Sequence, residues 1–279
     1  MRTSKVDEGS LDGFVEQHLS ETKHFARSKK VIHETLWGTN LFYSHEIALI
    51  DTSLLQRLRE IHQTGLSYLT FPTAVHTRFD HSLGTLIQCS RFAEMVSKKY
   101  QDLLEEKDIL ELRCAALIHD MGHCLFSHAS EDIYALLPYI RERKVTNSEF
   151  AGASPHEILT YEITNTNAFL PFFEKICNEN SVNLDLNKIR AYIIGKSEPK
   201  YRYKSDFLNG PFDVDKIDYL FRDSHFSGIP INIDLDRLRY STIIKGTPGE
   251  IDEQRLVVSH TGTTPLEQIL FSRMQLYPT

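Results

Sequence analysis

"DILELRCAALIHD" (residues 108–120) runs directly into "HDMGHCLFSH" (residues 119–128). In the first stretch Leu112, Ala115, Ala116 and Ile118 fill one buried helical surface, and Asp108 with Glu111 has the form of a capping box at its start. The second stretch places three histidines and an aspartate immediately behind that apolar run. A polar group emerging from a rigid core is where a defined site is best anchored. Adjacent helical residues diverge by roughly 100°. His119 and Asp120 therefore converge on one ion only near a helix end, and Gly122 supplies the freedom to turn there.

Working outward, "SLLQRLREIHQTG" (53–65) reads as an amphipathic helix on Leu54, Leu55, Leu58 and Ile61, with Gly65 at its C-terminal cap. "HTRFDHSLGTLIQCSRFAEMVSKKY" (76–100) carries an apolar stripe of Leu83, Leu86, Ile87, Met95 and Val96. "RERKVTNSEFAGAS" (141–154) is the best loop candidate. Ser154, Pro155 and Glu157 then restart a helix with a capping box. Residues 178–211 read as a polar connection dotted with aromatics. "FDVDKIDYLFRDSHFSGI" (212–229) is helical, and "TPLEQILFSRMQLY" (264–277) begins with a third capping box. The stretch 31–52 is mixed, with a Gly-Thr-Asn turn signal. The expected fold is mostly α with little strand.

The chain has 279 residues, 41% of them hydrophobic, enough for one large domain or two small ones. The net charge of -7 does not encourage nucleic-acid binding over the whole surface. Cys89, Cys114, Cys124 and Cys177 form no CxxC pair, which suits a reducing compartment. The first twenty residues lack the apolar core of a signal peptide, and no apolar run approaches the ~18 residues of a membrane helix. The expectation is a cytoplasmic protein with no membrane partner.

A hard or borderline cation accepts carboxylate and imidazole ligands together. His81, His119, Asp120 and Asp215 would give two imidazoles and two carboxylates from three helices, with positions left for water and substrate oxygens. Asp213 and Asp218 compete with Asp215 for the last place. Mixed ligation of this kind fits Mn, Fe, Co, Ni, Mg or Zn to different degrees.

The order of segments adds a resemblance. "QRLREIHQTG", "FPTAVHTRFDHSLG", "LIHDMGHCLFSH", "SPHE" and "FDVDKIDYLFRDSHFSGI" together resemble the HD-domain phosphohydrolases, and within them the deoxynucleoside triphosphate triphosphohydrolases of the dGTPase and SAM-and-HD-domain dNTPase branch. The similarity runs from about residue 31 to the C-terminus, with residues 1–30 as a peripheral N-terminal segment and an HD core over about 50–230. It implies a largely α-helical HD core and one divalent metal ion held by His81, His119, Asp120 and Asp215. It makes His128 a catalytic histidine near the triphosphate, Glu131 its acidic partner and His156 a further active-site histidine. It places Arg78, Lys216, Tyr219 and Asp223 at the phosphate or nucleoside and Gln63 at the sugar 3′-hydroxyl. His123 is read as site support or a substrate contact. The implied reaction converts a dNTP to a deoxynucleoside and tripolyphosphate. A homo-oligomer and a nucleotide activator are the implied partners.

Three features depart from the pattern. Thr64 follows Gln63 where eukaryotic relatives carry a bulky apolar residue that helps exclude a 2′-hydroxyl. "PTAVH" lacks a glycine after the proline. The chain ends where the family continues into further helical sequence, so the region reads as short. The alternatives are another HD phosphohydrolase or phosphodiesterase acting on a different nucleotide, and a non-catalytic nucleotide-binding regulator. Cys124 and Phe126 are read as core rather than as a redox centre and a stacking platform. Arg57 and Arg59 are read as solvated helix charges.

Overall fold

The computed structural model describes residues 10–246 and 252–277. The helix α1 (Leu11–Ser20) precedes a hairpin of β1 (Lys30–Glu34) and β2 (Gly38–Phe42). Then come α2 (Ser44–Ile50), α3 (Ser53–Gln56), α4 (Arg78–Lys99) and α5 (Glu106–Ile118). The middle of the chain forms α6 (Glu131–Tyr134), α7 (Pro138–Thr146), α8 (Pro155–Thr164), α9 (Phe169–Glu179), α10 (Leu186–Ile193) and α11 (Arg202–Asn209). It closes with α12 (Val214–Ser227), α13 (Leu235–Ser241), a hairpin of β3 (Thr242–Gly246) and β4 (Gln254–Val258), and α14 (Thr263–Leu276). The mostly α expectation holds. Both hairpins are antiparallel, with Val31 opposite Leu41 and Ile243 opposite Val257. Gly38 of the Gly-Thr-Asn signal takes φ +73°, the left-handed conformation glycine tolerates.

The helix α5 is the axis. Every residue from Glu111 to Ile118 is buried, so the C-terminal two turns of this helix have no solvent face and are packed on all sides. It lies against α4 and α10, α12 crosses α4, and α8 covers the turn that follows α5. That turn, His119–Gly122, is a 3₁₀ segment. Its backbone is clamped by Thr160 of α8, whose hydroxyl accepts from Gly122 N at 2.8 Å and donates to His119 O at 2.7 Å. A side chain at Gly122 would strike the His156 carbonyl, so the glycine serves close packing; its φ is not positive, and the turn does not depend on glycine's conformational freedom.

Several boundaries differ from the sequence reading. The helix over 53–65 stops early: α3 gives way to a 3₁₀ turn at Arg57–Glu60 and extended chain at Ile61. Long-range pairing displaces it, because Ile61 O accepts from Arg78 N and Gln63 N donates to His76 O. The capping box of α5 is Glu105 with Asp108, not Asp108 with Glu111; Glu111 is buried and accepts from Asp185 N. The loop placed at 141–154 is helical through Thr146, started by Pro138 at a first helical position. The connection at 178–211 contains α10 and α11, which bury Tyr192, Tyr203 and Phe207. The capping box at Ser154 and Glu157 forms, whereas α14 starts from Gly262 without a side-chain cap.

Gly84 decides how closely α4 and α12 approach. A Cβ there would overlap the Asp218 carboxylate and the Arg222 guanidinium. Gly84→Ala is expected to cost about 2 kcal/mol or more by overpacking, read as a fall in urea midpoint with an unchanged m-value.

Candidate metal and nucleotide site

His81 projects from the first turn of α4, His119 and Asp120 from the turn after α5, and Asp215 from the first turn of α12. The imidazole of His81 is fully buried. Its Nδ1 lies 2.7 Å from Asp218 Oδ2, and a carboxylate only accepts, so Nδ1 carries the proton and Nε2 faces inward. That Nε2 sits 2.9 Å from Asp215 Oδ1 and 3.7 Å from Asp120 Oδ2. His119 is fixed in the same sense, with Nδ1 donating to Ala116 O at 2.8 Å. Its Nε2 is buried without a hydrogen-bond partner and faces Asp120 at 3.3 Å and Asp215 at 3.7 Å. An orphaned imidazole nitrogen aimed at two carboxylates is what a cation site leaves when its ligands are preorganised. The ligand atoms of His81, His119 and Asp215 lie close enough together to hold a divalent ion, and Asp120 stands beside both imidazoles.

The electrostatics agree. Burial alone would raise the Asp120 carboxyl, but the Arg78 charge and His119 outweigh it and hold it well below the carboxylate range. Asp215 is also held down against burial, by the neighbouring His119 and His81 imidazoles. Burial would lower His81, yet hydrogen bonds to Asp215 and Asp218 push it up to about 10. The cluster attracts positive charge, and imidazolium protons supply part of it without a metal.

Beside it stands a second group. Glu131 accepts from His128 Nδ1 at 3.1 Å and is also hydrogen-bonded to His156 Nδ1. These bonds outweigh burial and keep Glu131 far below the usual range. His128 is exposed and His156 nearly buried. His123 is wholly buried, stacked on His156 at 4.0 Å between ring centroids and 3.3 Å from Asp120 Oδ1. Burial and the charges of Arg78 and His156 drive it well below its ordinary pKa. It lies behind the site and does not line the cavity, so it supports rather than touches a ligand there.

Both groups open on one cavity of about 460 Å³ lined by Gln63, Thr64, Arg78, Asp120, His128, His156, Asp215, Tyr219 and Asp223. Phe126 also lines it, 53% exposed and in left-handed backbone, which corrects its reading as core. Cys124 is half-buried rather than core. Arg57 is not a solvated charge: it donates to the carbonyls of His123 and Met121 and braces the motif from outside. Arg59 lies 3.7 Å over the Phe79 ring. Lys216 is absent from the lining; its ammonium is bound by Asp213 and by Gly210 O at 3.1 Å.

Three residues at the site were missed. Asp218 was weighed only as a rival ligand; it stands behind His81. Its place three residues after Asp215, on the same helix face, is a readable signal. Arg273 and Tyr277 of the C-terminal segment line the cavity. Tyr277 hydrogen-bonds Asp223, which also pairs with His76 at 2.7 Å. No local signal marks them.

The HD domain family pattern matches residues 78–223, just over half of the chain. The chain belongs to the HD domain family. It is 32% identical over 231 residues to the deoxynucleoside triphosphate triphosphohydrolase SAMHD1 of Homo sapiens, covering 75% of this chain and 35% of that protein. An uncharacterized protein of Methanocaldococcus jannaschii is 31% identical over 249 residues, 89% of this chain and 45% of its own length. The crystal structure of a hypothetical protein from Aquifex aeolicus superposes with a TM-score of 0.69 at 29% identity, covering 89% of this chain and 58% of that one. The chain thus spans less than half the length of these curated relatives. HD domains bind divalent metals and act as metal-dependent phosphohydrolases, which fits the donor cluster. No helix among the described residues is long and apolar enough to cross a membrane.

Asp218→Asn is expected to weaken divalent-metal affinity by about 10–100-fold, the usual effect of losing a carboxylate behind a ligating histidine, measured by metal titration of the demetallated protein. Because an entering ion displaces the His81 proton, affinity should rise with pH by about tenfold per unit for each proton released. A flat profile from pH 6 to 8 would contradict the protonated cluster.

Proposed function

We propose that this HD domain protein hydrolyses deoxynucleoside triphosphates to deoxynucleoside and tripolyphosphate. The observation carrying this reading is that the donor cluster and the His128–Glu131–His156 group share one cavity with aromatic walls and a cation. A divalent ion held by His81, His119, Asp120 and Asp215 would act as a Lewis acid toward a phosphate oxygen. The remaining chemistry belongs to the side chains. Water adds at the α-phosphorus as the bond to the 5′-oxygen breaks, and that oxygen needs a proton. His128 is exposed to the cavity and held by Glu131, so it can deliver the proton from a fixed direction. Tyr219 and Tyr277, with ring centroids 5.9 Å apart, offer an apolar face to a sugar or base. The Oε1 of Gln63 is buried without a partner and is free to accept from a sugar hydroxyl.

Arg273 makes no ion pair among the described residues and lines the cavity. It is the side chain best placed to meet phosphate charge. A nucleotide activator, a homo-oligomer and a cytoplasmic setting remain part of this proposal through the resemblance alone. A second reading has one observation in its favour. Arg78 and Lys216 commit their charge to Asp120 and Asp213, which leaves less positive charge for a triphosphate and would suit another, less anionic nucleotide.

Purified protein incubated with each dNTP and NTP and Mn²⁺, followed by ion-exchange separation, decides between them. Deoxynucleoside with intact tripolyphosphate is expected; phosphate retained on the nucleoside would favour the second reading. His128→Ala should lower kcat by about 10²–10⁴-fold, as loss of a general acid does. Arg273→Ala should mainly raise KM, by about tenfold, corresponding to one charge-assisted hydrogen bond of roughly 1.4 kcal/mol.

A further inference from the structure

The sequence suggests a phosphate ligand in Arg78, yet its guanidinium is 2% exposed and turned to the protein. Nη1 donates to Asp120 Oδ2 at 2.9 Å. Nε donates to Ser127 Oγ at 3.1 Å, and Nη2 is bonded to the same oxygen. The Ser127 hydroxyl in turn donates to Gln63 O at 2.8 Å. A hydroxyl has one proton to give and two lone pairs to offer, so every capacity of this oxygen is used. Ser127 is 1% exposed.

The backbone that delivers this hydroxyl is strained. Phe126 and Ser127 take φ +66° and +55°, the left-handed region that ordinary side chains avoid. Gly65, at φ +59°, lets the loop at Phe126 come close; a Cβ there would lie 2.8 Å from Phe126 O. A consecutive left-handed pair persists only when the surroundings over-determine it. Here they do so by placing one oxygen between an arginine and a carbonyl.

We infer that Ser127 is a positioning residue of the metal centre: its hydroxyl fixes Arg78 against Asp120 and so sets how tightly the centre holds a divalent cation. This rests on the reading of His81, His119, Asp120 and Asp215 as the ligand set. With Arg78 pinned, Asp120 Oδ2 is occupied from one side, and the carboxylate plane is fixed while Oδ1 stays turned toward His119 and His123. Without the hydroxyl, Nε loses its acceptor and Nη2 keeps only the long bond to Gln63 O at 3.4 Å, so the guanidinium is held on one side by Asp120 alone and is less restrained at the cavity it lines.

The test is Mn²⁺ binding to the demetallated protein by titration calorimetry, beside thermal melts of the metal-free form. Ser127→Ala is expected to lower Mn²⁺ affinity by about tenfold, the low end for removing an outer partner of a metal ligand. Ser127→Gly removes the same hydroxyl but relaxes the backbone, so it should lose the same affinity while melting no lower than Ser127→Ala; it carries the test if the alanine variant fails to fold. In an Arg78→Lys background, Ser127→Ala should cause no further loss, because its effect passes through the guanidinium. Unchanged affinity in both Ser127 variants, or losses that add in the double variant, would overturn the assignment while leaving the metal centre intact. Failure of the unsubstituted protein to bind Mn²⁺ would take down the ligand set and this proposal with it.

Discussion

The buried contact between His81 and Asp218 holds the site together. Asp218 is completely enclosed, yet it remains ionised, because Arg222 and His81 outweigh the effect of burial and hold it at about 2. Its two oxygens are shared among His81, Arg222 and the Trp37 indole at 2.5 Å. Arg222 also reaches Glu34, and Glu34 accepts from the backbone of Leu36 and Trp37 in the turn of the first hairpin. One carboxylate thus joins α4, α12 and the hairpin. A buried ion network of this kind adds little net stability over an apolar equivalent, although removing one member costs several kcal/mol. What it provides is direction: one nitrogen of His81 is taken, so the other points into the cluster.

Asp120 performs the corresponding task between the two imidazole groups. One oxygen faces Arg78 and His81, the other His119 and His123. His123 can occupy this crowded position because burial and neighbouring charge keep it neutral. A second cation there would repel Arg78 and His156. Stacked on His156, the neutral ring carries the packing of the HD turn outward to the His128 and Glu131 group. The His81, His119, Asp120 and Asp215 cluster and the His128, Glu131 and His156 group are therefore mechanically one unit, clamped from behind by Thr160 and Arg57.

The sequence reading reached the helical class, the position of α4, α5, α8 and α12, and the four donors that the fold brings together. These depend on apolar spacing, capping chemistry and helix order, all of which are local or nearly so. What it misread depends on where a long side chain finds its partner. Lys216 and Asp213 are three residues apart and satisfy each other at a helix start, which no motif match reveals. The overlong helix at 53–65 failed because its apolar spacing continues into chain that pairs with residues 76–78 instead. Helices α10 and α11, eight residues each, were hidden by their polar faces. Phe126 looked like core from its composition, but its left-handed backbone turns it outward.

The cavity also explains why the C-terminal helix matters to a site built around residues 63–223. With Arg78 and Lys216 bonded inside the protein, the cavity wall carries the carboxylates of Asp120, Asp215 and Asp223 together with the Arg273 guanidinium. Tyr277 ties that helix end to Asp223, and Asp223 is held by His76 immediately before α4. The segment carrying Arg273 is thereby registered against the same helix that presents His81. The His81 side of the cavity and its Arg273 side are consequently fixed by one framework rather than by separate loops.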